Sequence, residues 1–547
     1  MRYSSLRKLC NRFPNPFMRN MNQLKSLPLG TASFERLRLT NQLYVDKTDL
    51  IFRLASKSEK FFLTRPRRFG KSLLLSTFAS LFRNGIQHFS GLAIESAWKD
   101  TTYTVVTIDL SSVKNFTCLE DFNYKLASTL AESFGTAGFQ VNQESPLRLI
   151  SQISAWLNAQ PISSLVLLID EYDAPLTACL GNRALFDAVR LHLADFFSVI
   201  KTNDACLRFV FMTGITKFNQ TGIFSELNNF TDISLFPEFG SLLGYTDSDI
   251  KTYFSDYIRS AAEKLHMSES CVYSQLQKNY DGFCFEESAS VHVYAPWSVL
   301  NFLSWPSPEF KNYWIASGGM ITLLSRYLDS HSLKAPEEYG KEQQIPLSYL
   351  SASADFDGIN DKVLLTQTGY LTIKARNNDT FFVGYPNKEV ADSMAKLYEG
   401  ILLKNKTLTQ VGAGNLTCAA QNGNIADFFK TVNRAFDAID YANYPIREEK
   451  HCQAYLQIFL AGAGLDVVAE KHNVLGRSDL EFIVGDLHWV LELKFLKSKG
   501  PSDRELLEEA LEQLRKRRYG LTGKERTLRV AAVFSEASRT FVLWQQA

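Results

Sequence analysis

The sequence predicts an α/β protein in three parts: a parallel-sheet unit, a mostly helical middle region, and a C-terminal unit ordered αβββαβ. Three observations carry that prediction. Four apolar runs of strand length, "KFFLT" (60–64), "YTVVTIDL" (103–110), "SLVLLID" (164–170) and "LRFVFMTG" (207–214), alternate with helix-like segments. Unbroken apolar runs suit strands covered by helices on both faces, as in a parallel sheet. From about Ser241 to Ala435 this alternation fades, and after a polar stretch from Asn405 to Gly423 it restarts.

At 547 residues the chain exceeds one ordinary core, and 45% hydrophobic with 13% aromatic content fills several. The formal net charge of +1 excludes a global pull on nucleic acid, so any such binding must come from local patches. The eight cysteines are scattered singly with no CxxC pair, the pattern of a reduced, cytoplasmic protein without a structural zinc. No run of eighteen apolar residues is present, so no membrane-spanning helix is expected. The first 34 residues hold no acid, and Pro14 and Pro16 interrupt any amphipathic helix there. Residues 1–26 are therefore expected to be a disordered basic extension, with Met18 or Met21 as the true start.

The elements follow in order. After "KFFLT" comes a loop and then the helix "KSLLLSTFASLFR", whose Leu74, Phe78, Leu81 and Phe82 share one face. The remaining apolar runs complete a unit assigned to 27–240. The middle region, 241–435, carries "YDGF" (280–283), "YAPWSVLNFL" (294–303) and "YWIASGG" (313–319), and strand-like "LLTQTGYLTI" (364–373) and "FFVGYPNKEV" (381–390). It reads as a helical lid with a small β-containing unit. The last unit, 436–547, opens with the helix "REEKHCQAYLQIFLAGAG". Strands "DVVAE" (466–470), "SDLEFIVG" (478–485) and "HWVLELKF" (488–495), the helix "DRELLEEALEQLRKRRYG" and a last strand "LRVAAVF" close it.

The stretch "RPRRFGKSLLLS" places Gly70, Lys71 and Ser72 where a strand gives way to a helix. A phosphate-binding loop needs those residue types: backbone N–H groups and a helix N-terminus around the phosphates, a lysine on the β/γ-phosphates, a hydroxyl on Mg²⁺. Arg65 stands where the usual pattern has glycine, and Pro66 fixes its neighbourhood, so the loop is expected to be rebuilt. "LVLLIDEYD" supplies the second half, an apolar strand ending in Asp170 for the magnesium shell and Glu171 for the attacking water. Thr213, ending another strand, stands where a γ-phosphate sensor belongs. Together these read as a P-loop NTPase unit that binds ATP and Mg²⁺.

These residues, with "LPLGTASFERLR…YVDKTDLI" and "TGITKFNQTGIFSELNNFTDIS", closely resemble the predicted AAA-ATPase-like family, and the likeness runs from Leu27 onward. It implies that RPRRFGKS is the family's own loop and that Lys71, Ser72, Asp170 and Glu171 inherit the nucleotide roles. Phe69 and Gly70 join them in the loop. Arg65, Arg67 and Arg68 are left as candidates for phosphate or for a nucleic-acid backbone.

The second constellation lies in "GRSDLEFIVGDLHWVLELKF". If two strands pair across "GDLH", Asp479 and Glu492 converge on one metal, and with the carbonyl of Leu493 they make an oxygen-rich site suited to Mg²⁺. Lys494 shares a face with Glu492 by the two-residue period and can stabilise developing phosphate charge. The arrangement resembles the PD-(D/E)XK nuclease superfamily, whose core is the restriction-endonuclease-like αβββαβ fold. That resemblance implies a further acid at Glu449, with Glu448 as the neighbouring alternative, and a supporting Gln513. "LRKRRYG" (514–520) is a candidate basic patch or simply an exposed helix end.

The expectation is an ATP-dependent or ATP-gated, Mg²⁺-dependent nuclease acting on DNA. The alternative is a nucleotide-switched regulatory or binding module whose C-terminal domain grips nucleic acid or a partner without cutting.

Overall fold

The computed structural model describes residues 24–145, 147–217, 229–316, 336–351, 360–473, 476–517 and 526–547. The basic extension as far as residue 23, residues 317–319 and the last three residues of "LRKRRYG" lie outside them.

The strands β1 (Lys60–Thr64), β2 (Thr104–Asp109), β3 (Leu165–Asp170), β4 (Leu207–Gly214) and β5 (Thr231–Asp232) form one sheet, ordered β2-β3-β4-β1-β5. Every neighbouring pair is parallel. Every residue of β3 is buried, as an apolar run without alternation requires. The "YTVVTIDL" strand stops at Asp109, whose carboxylate accepts from the Ser111 amide at 2.9 Å and turns the chain into a 3₁₀ helix. The Lys71–Asn84 helix drives Phe78 against the sheet, its ring 4.9 Å from that of Phe211. This order brings the C-terminal ends of β1, β3 and β4 side by side, where open parallel sheets bind ligands.

In the middle region, helices Asp247–Tyr253, Ser255–Leu265, Glu269–Tyr280 and Pro296–Ser304 close a separate core around Phe254, Leu276, Tyr280 and Phe302. A small antiparallel sheet follows, β6 (Gln343–Pro346), β7 (Thr372–Asn377) and β8 (Thr380–Gly384), ordered β6-β8-β7. The expected strand at 364–373 is corrected here: Asp361–Gln367 is a helix, capped by the Asn360 side chain on the Lys362 amide. Its apolar Val363, Leu364 and Leu365 mimic a strand run, and only Thr372 onward is extended.

The middle region also braces the phosphate loop. Gly369 adopts φ +84°, and a Cβ there would come within 2.7 Å of the Pro66 ring. Phe69 packs edge-on against Phe283 and Phe285, with ring centroids 5.0 Å away in each case. The loop backbone is thus held from behind by aromatic packing rather than by glycine alone.

The C-terminal sheet is ordered β13-β12-β11-β10-β9, from β9 (Asp466–Asn473), β10 (Gly476–Val484), β11 (Leu487–Leu496), β12 (Arg526–Ser535) and β13 (Thr540–Gln546). Only β11 and β12 run parallel. The helix Glu449–Gly462 precedes β9, and Asp503–Arg517 links β11 to β12. The order is therefore αβββαββ: the sequence reading ended one strand early, because β13 alternates and is only partly buried. The helix Ile425–Asp437 packs on this sheet, with Phe428 4.7 Å from Trp489 and Phe429 stacked on Trp544. The expected boundary at 435/436 falls inside its last turn.

Candidate functional site

Two clusters of chemically capable side chains stand far apart in sequence. The first forms where β1 ends. Gly70 takes φ +99° as the N-cap of the Lys71–Asn84 helix, a conformation that strains any residue with a Cβ. The buried Lys71 ammonium donates to the carbonyls of Arg65 and Pro66, both at 2.9 Å. Burial lowers the Lys71 pKa, and the nearby Asp170 and Glu171 carboxylates oppose that fall. Two carbonyl contacts offset only part of the several kcal/mol that burying an ammonium costs. The group is therefore poised to exchange them for phosphate oxygens.

Asp170 joins three elements. It accepts from the Ser72 hydroxyl at 2.5 Å, the Thr213 hydroxyl at 2.5 Å and the Glu171 amide at 3.0 Å. Ser72 lies in the first turn of the helix, Asp170 ends β3 and Thr213 lies near the end of β4, so parallel register brings them together. A hydroxyl and a carboxylate in contact form a hard-oxygen pair that suits Mg²⁺, which keeps most of its waters and few protein ligands. Glu171 follows in a left-handed conformation, φ +49°, and burial raises its pKa while Lys71 pulls it down. Lys71, Ser72 and Glu171 line a cleft of about 730 Å³ together with Arg67, Tyr44, Leu243 and Trp297, and the buried Asp170 and Thr213 are joined to it through the Ser72–Asp170 contact.

The three arginines separate. Arg65 is corrected here as a phosphate-facing group. It is 2% exposed and donates to the carbonyls of Thr64, Ser234 and Phe239, with its guanidinium 4.8 Å from the Phe285 ring centroid. A guanidinium so committed serves as a strut, and its carbonyl holds Lys71. Arg68 is exposed and lies over the Trp297 ring at 4.3 Å. Arg67 lines the cleft beside Lys71 and Glu171.

Sequence reasoning missed Asp173. It is 1% exposed and accepts from the Ile215 amide (3.0 Å), the Thr216 amide (2.8 Å) and the Thr216 hydroxyl (2.7 Å). It thus fastens the turn after β3 to the segment after Thr213. The signal was the third acid of "DEYD", hidden because Asp170 and Glu171 already filled the expected roles.

The second cluster lies where the β10–β11 ladder ends. The last paired residues are Leu480 and Leu491, and continuing that register by one places Asp479 across from Glu492 on the same face. Leu491 and Leu493 face the main core, whereas Val490, two residues before Glu492, packs under the Asp503–Arg517 helix. Glu492 and Lys494 therefore look toward that helix. Beyond the ladder, the Leu493 amide donates to the Asp479 carboxylate at 2.7 Å. In an extended strand the carbonyl of a residue points to the same side as its amide, so Leu493 presents both toward Asp479. Glu492 is 3% exposed.

Glu449 belongs with this cluster: burial raises its pKa, Asp479 raises it further and Lys494 lowers it. Glu448 instead pairs with Lys450 at 2.9 Å on the surface. Lys494 is ion-paired with Glu509 at 3.3 Å, and Gln513 donates to the same Glu509 carboxylate at 3.2 Å. Gln513 thus reaches the cluster through Glu509, which sequence reasoning missed; its signal was the four-residue spacing to Gln513 on one helix face. Among the described residues, no three His, Cys, Asp or Glu side chains gather as a self-sufficient metal cage. The candidate donors are instead two carboxylates and a backbone carbonyl, all oxygen, a set that fits the preferences of a magnesium ion.

Among the described residues no helix is long and apolar enough to cross a membrane. All seven cysteines among the described residues are free.

Comparison with known proteins gives two family matches: "Predicted AAA-ATPase" over residues 28–224 and "PD-(D/E)XK nuclease superfamily" over residues 447–544. An uncharacterized protein in the vnfD 5′ region of Azotobacter chroococcum mcd 1 is 28% identical over 510 residues, 90% of this chain and 93% of that protein. Among solved structures, a Walker-type ATPase of Pyrococcus abyssi aligns with 68% of this chain and 97% of its own, at 10% identity and a TM-score of 0.32. The Aeropyrum pernix ORC2 protein aligns with 69% and 98%, at 11% identity and a TM-score of 0.22. Residues 28–224 of the chain thus match the predicted AAA-ATPase family, and residues 447–544 match the PD-(D/E)XK nuclease superfamily.

Proposed function

We propose that the protein binds and hydrolyses ATP at its first cluster and uses that cycle to control phosphodiester hydrolysis of DNA at its second. The observation that carries the reading is the meeting of Ser72, Asp170 and Thr213 beside a cleft that Lys71 and Ser72 line. Lys71 exchanges its loop carbonyls for β- and γ-phosphate oxygens. Ser72 and Asp170 hold the magnesium ion, and Glu171 orients the attacking water. Thr213 reports the γ-phosphate to Asp170.

At the second cluster Asp479, Glu492 and the Leu493 carbonyl would hold a divalent cation, with Glu449 beside them. Such a cation, when bound, supplies Lewis acidity for water and positive charge for the phosphodiester. Lys494 faces the scissile phosphate and offsets its developing charge, once released from Glu509. The protein acts in the cytoplasm in this reading, and its three parts follow the limits 27–240, 241–435 and 436–547, with the helix Ile425–Asp437 counted in the last. Phosphate release from Mg-ATP, measured with and without duplex DNA, tests the coupling. Release that DNA alters supports it; no release under either condition removes the ATPase from the account.

The Lys494–Glu509 ion pair favours a second reading. A lysine held by a carboxylate of its own chain suits a nucleotide-switched module that grips nucleic acid without cutting. Tight DNA binding with no cleavage in Mg²⁺ or Mn²⁺ distinguishes that reading.

A further inference from the structure

Positive charge gathers at the phosphate loop beyond what phosphate binding needs, because three arginines precede Gly70-Lys71-Ser72. The structure gives each a different place. Arg65 is buried and bonded to three carbonyls. Arg68 has φ +66°, which reverses the chain and sends its guanidinium outward onto Trp297. That reversal parts it from Arg67, which is half-buried and lines the cleft together with Lys71, Ser72 and Glu171. Among the described residues Arg67 has no hydrogen-bond or ion-pair partner, so its guanidinium is uncommitted. Its charge is nonetheless felt by both neighbours in the cleft, Lys71 and Glu171.

Other cations at the cleft are less well placed. Lys47 is tied to Asp249 at 2.5 Å, and Lys114 is exposed on the segment after β2. An uncommitted planar cation that shares the cleft with the loop lysine and the water-orienting carboxylate matches one chemical need. During hydrolysis a water oxygen bonds to the γ-phosphorus, and the bond from that phosphorus to the β,γ-bridging oxygen breaks. ADP leaves with the electron pair, and the proton of the water passes by Glu171 to solvent. Negative charge grows on the bridging and γ-oxygens as this happens. A guanidinium fork that meets two such oxygens is the usual answer, supplied in many NTPases by a second protein or subunit.

Resting on the reading of this cleft as an ATP site, we infer that Arg67 is that cation, supplied in cis by the phosphate loop itself. The chain then completes its hydrolytic site without a second copy. The cost is a crowded loop, which explains why Arg65 must be turned inward and Arg68 outward.

The test uses the full chain. Arg67→Ala is expected to bind Mg-ATP within about threefold of wild type while single-turnover hydrolysis falls at least about 100-fold. Arg67→Lys, which keeps the charge without the fork, is expected to fall between them. Wild-type specific activity should not change across a wide dilution series. The inference is overturned if Arg67→Ala hydrolyses at the wild-type rate, or if Arg67→Lys does, because a lone ammonium would then suffice without the fork. It is overturned equally if specific activity falls steeply on dilution, which marks a cation supplied by another copy. Loss of ATP binding by Arg67→Ala, with Arg67→Lys binding normally, would make it a ground-state anchor instead. Failure of wild type to bind Mg-ATP at all is a separate result: it removes the ATP site and this inference with it.

Discussion

The Ser72 hydroxyl donates to the Asp170 carboxylate across 2.5 Å, although the two residues are 98 positions apart. One lies in the first turn of the helix after β1 and the other ends β3, two strands away in the sheet. The contact exists because β4 lies between them and carries Thr213 to the other oxygen of the same carboxylate. Three elements are thereby locked to one group before any ligand arrives, which is preorganisation in a literal sense.

Lys71→Ala is expected to weaken Mg-ATP binding at least tenfold, about 1.4 kcal/mol or more, with the fold intact. Glu171→Gln should bind ATP as wild type does and hydrolyse it about 100-fold more slowly. Fluorescent-nucleotide titration and phosphate release separate the two effects. Equal affinity in wild type and Lys71→Ala would remove the phosphate-loop assignment.

The acid limb of hydrolysis follows from Glu171. Its carboxylate acts in the ionised form, and burial raises its pKa above the ordinary 4.5. The rate should therefore rise with pH through a midpoint above 4.5 and then level. Glu171→Gln should lack that limb. A limb unchanged in the variant would assign it to another group.

At the second cluster, Asp479→Ala and Glu492→Ala should lose both metal binding and cleavage, whereas Lys494→Ala should lose cleavage alone. Glu509→Gln frees Lys494 from its ion pair and is expected to change the cleavage rate without changing metal affinity. Calorimetry with Mn²⁺ alongside a cleavage assay reads both. Undiminished metal binding by both carboxylate variants would contradict the ligand assignment.

Glu389 anchors the middle region, accepting from the Ser298 hydroxyl and from the amides of Tyr313 and Trp314. Burial outweighs these donors and lifts its pKa to about 8. The folded chain therefore keeps a proton that the unfolded chain sheds near 4.5. Stability from this group is full at low pH and declines as pH rises from about 4.5 to about 8, at about 1.4 kcal/mol per pH unit. Urea midpoints across that range should slope less in Glu389→Gln. An identical slope would assign the dependence elsewhere.

Much of this was legible in the sequence because apolar periodicity reports burial directly. β1, β3 and β4 were readable as runs buried on both faces, and the antiparallel pairing of β10 with β11, from Leu480 with Leu491 to Val484 with Leu487, followed from hairpin geometry. What escaped were choices made by tertiary contacts. Leu364 and Leu365 look the same in a strand as in a capped helix, so Asn360 decided the matter. The three loop arginines are equivalent in sequence, and only the carbonyls around Arg65 and the ring of Trp297 sort them. Glu509 was hidden because it reaches Lys494 from a helix fifteen residues further along the chain.

The central claim is that nucleotide at the first cluster controls cutting at the second. The direct measurement is an incubation of purified protein with end-labelled DNA and RNA in Mg²⁺, with and without ATP, beside Lys71→Ala and Asp479→Ala. The account predicts DNA cleavage that changes with ATP, loses its ATP response in Lys71→Ala and disappears in Asp479→Ala. Cleavage that survives in Asp479→Ala, or no cleavage of any substrate with or without ATP, would contradict it.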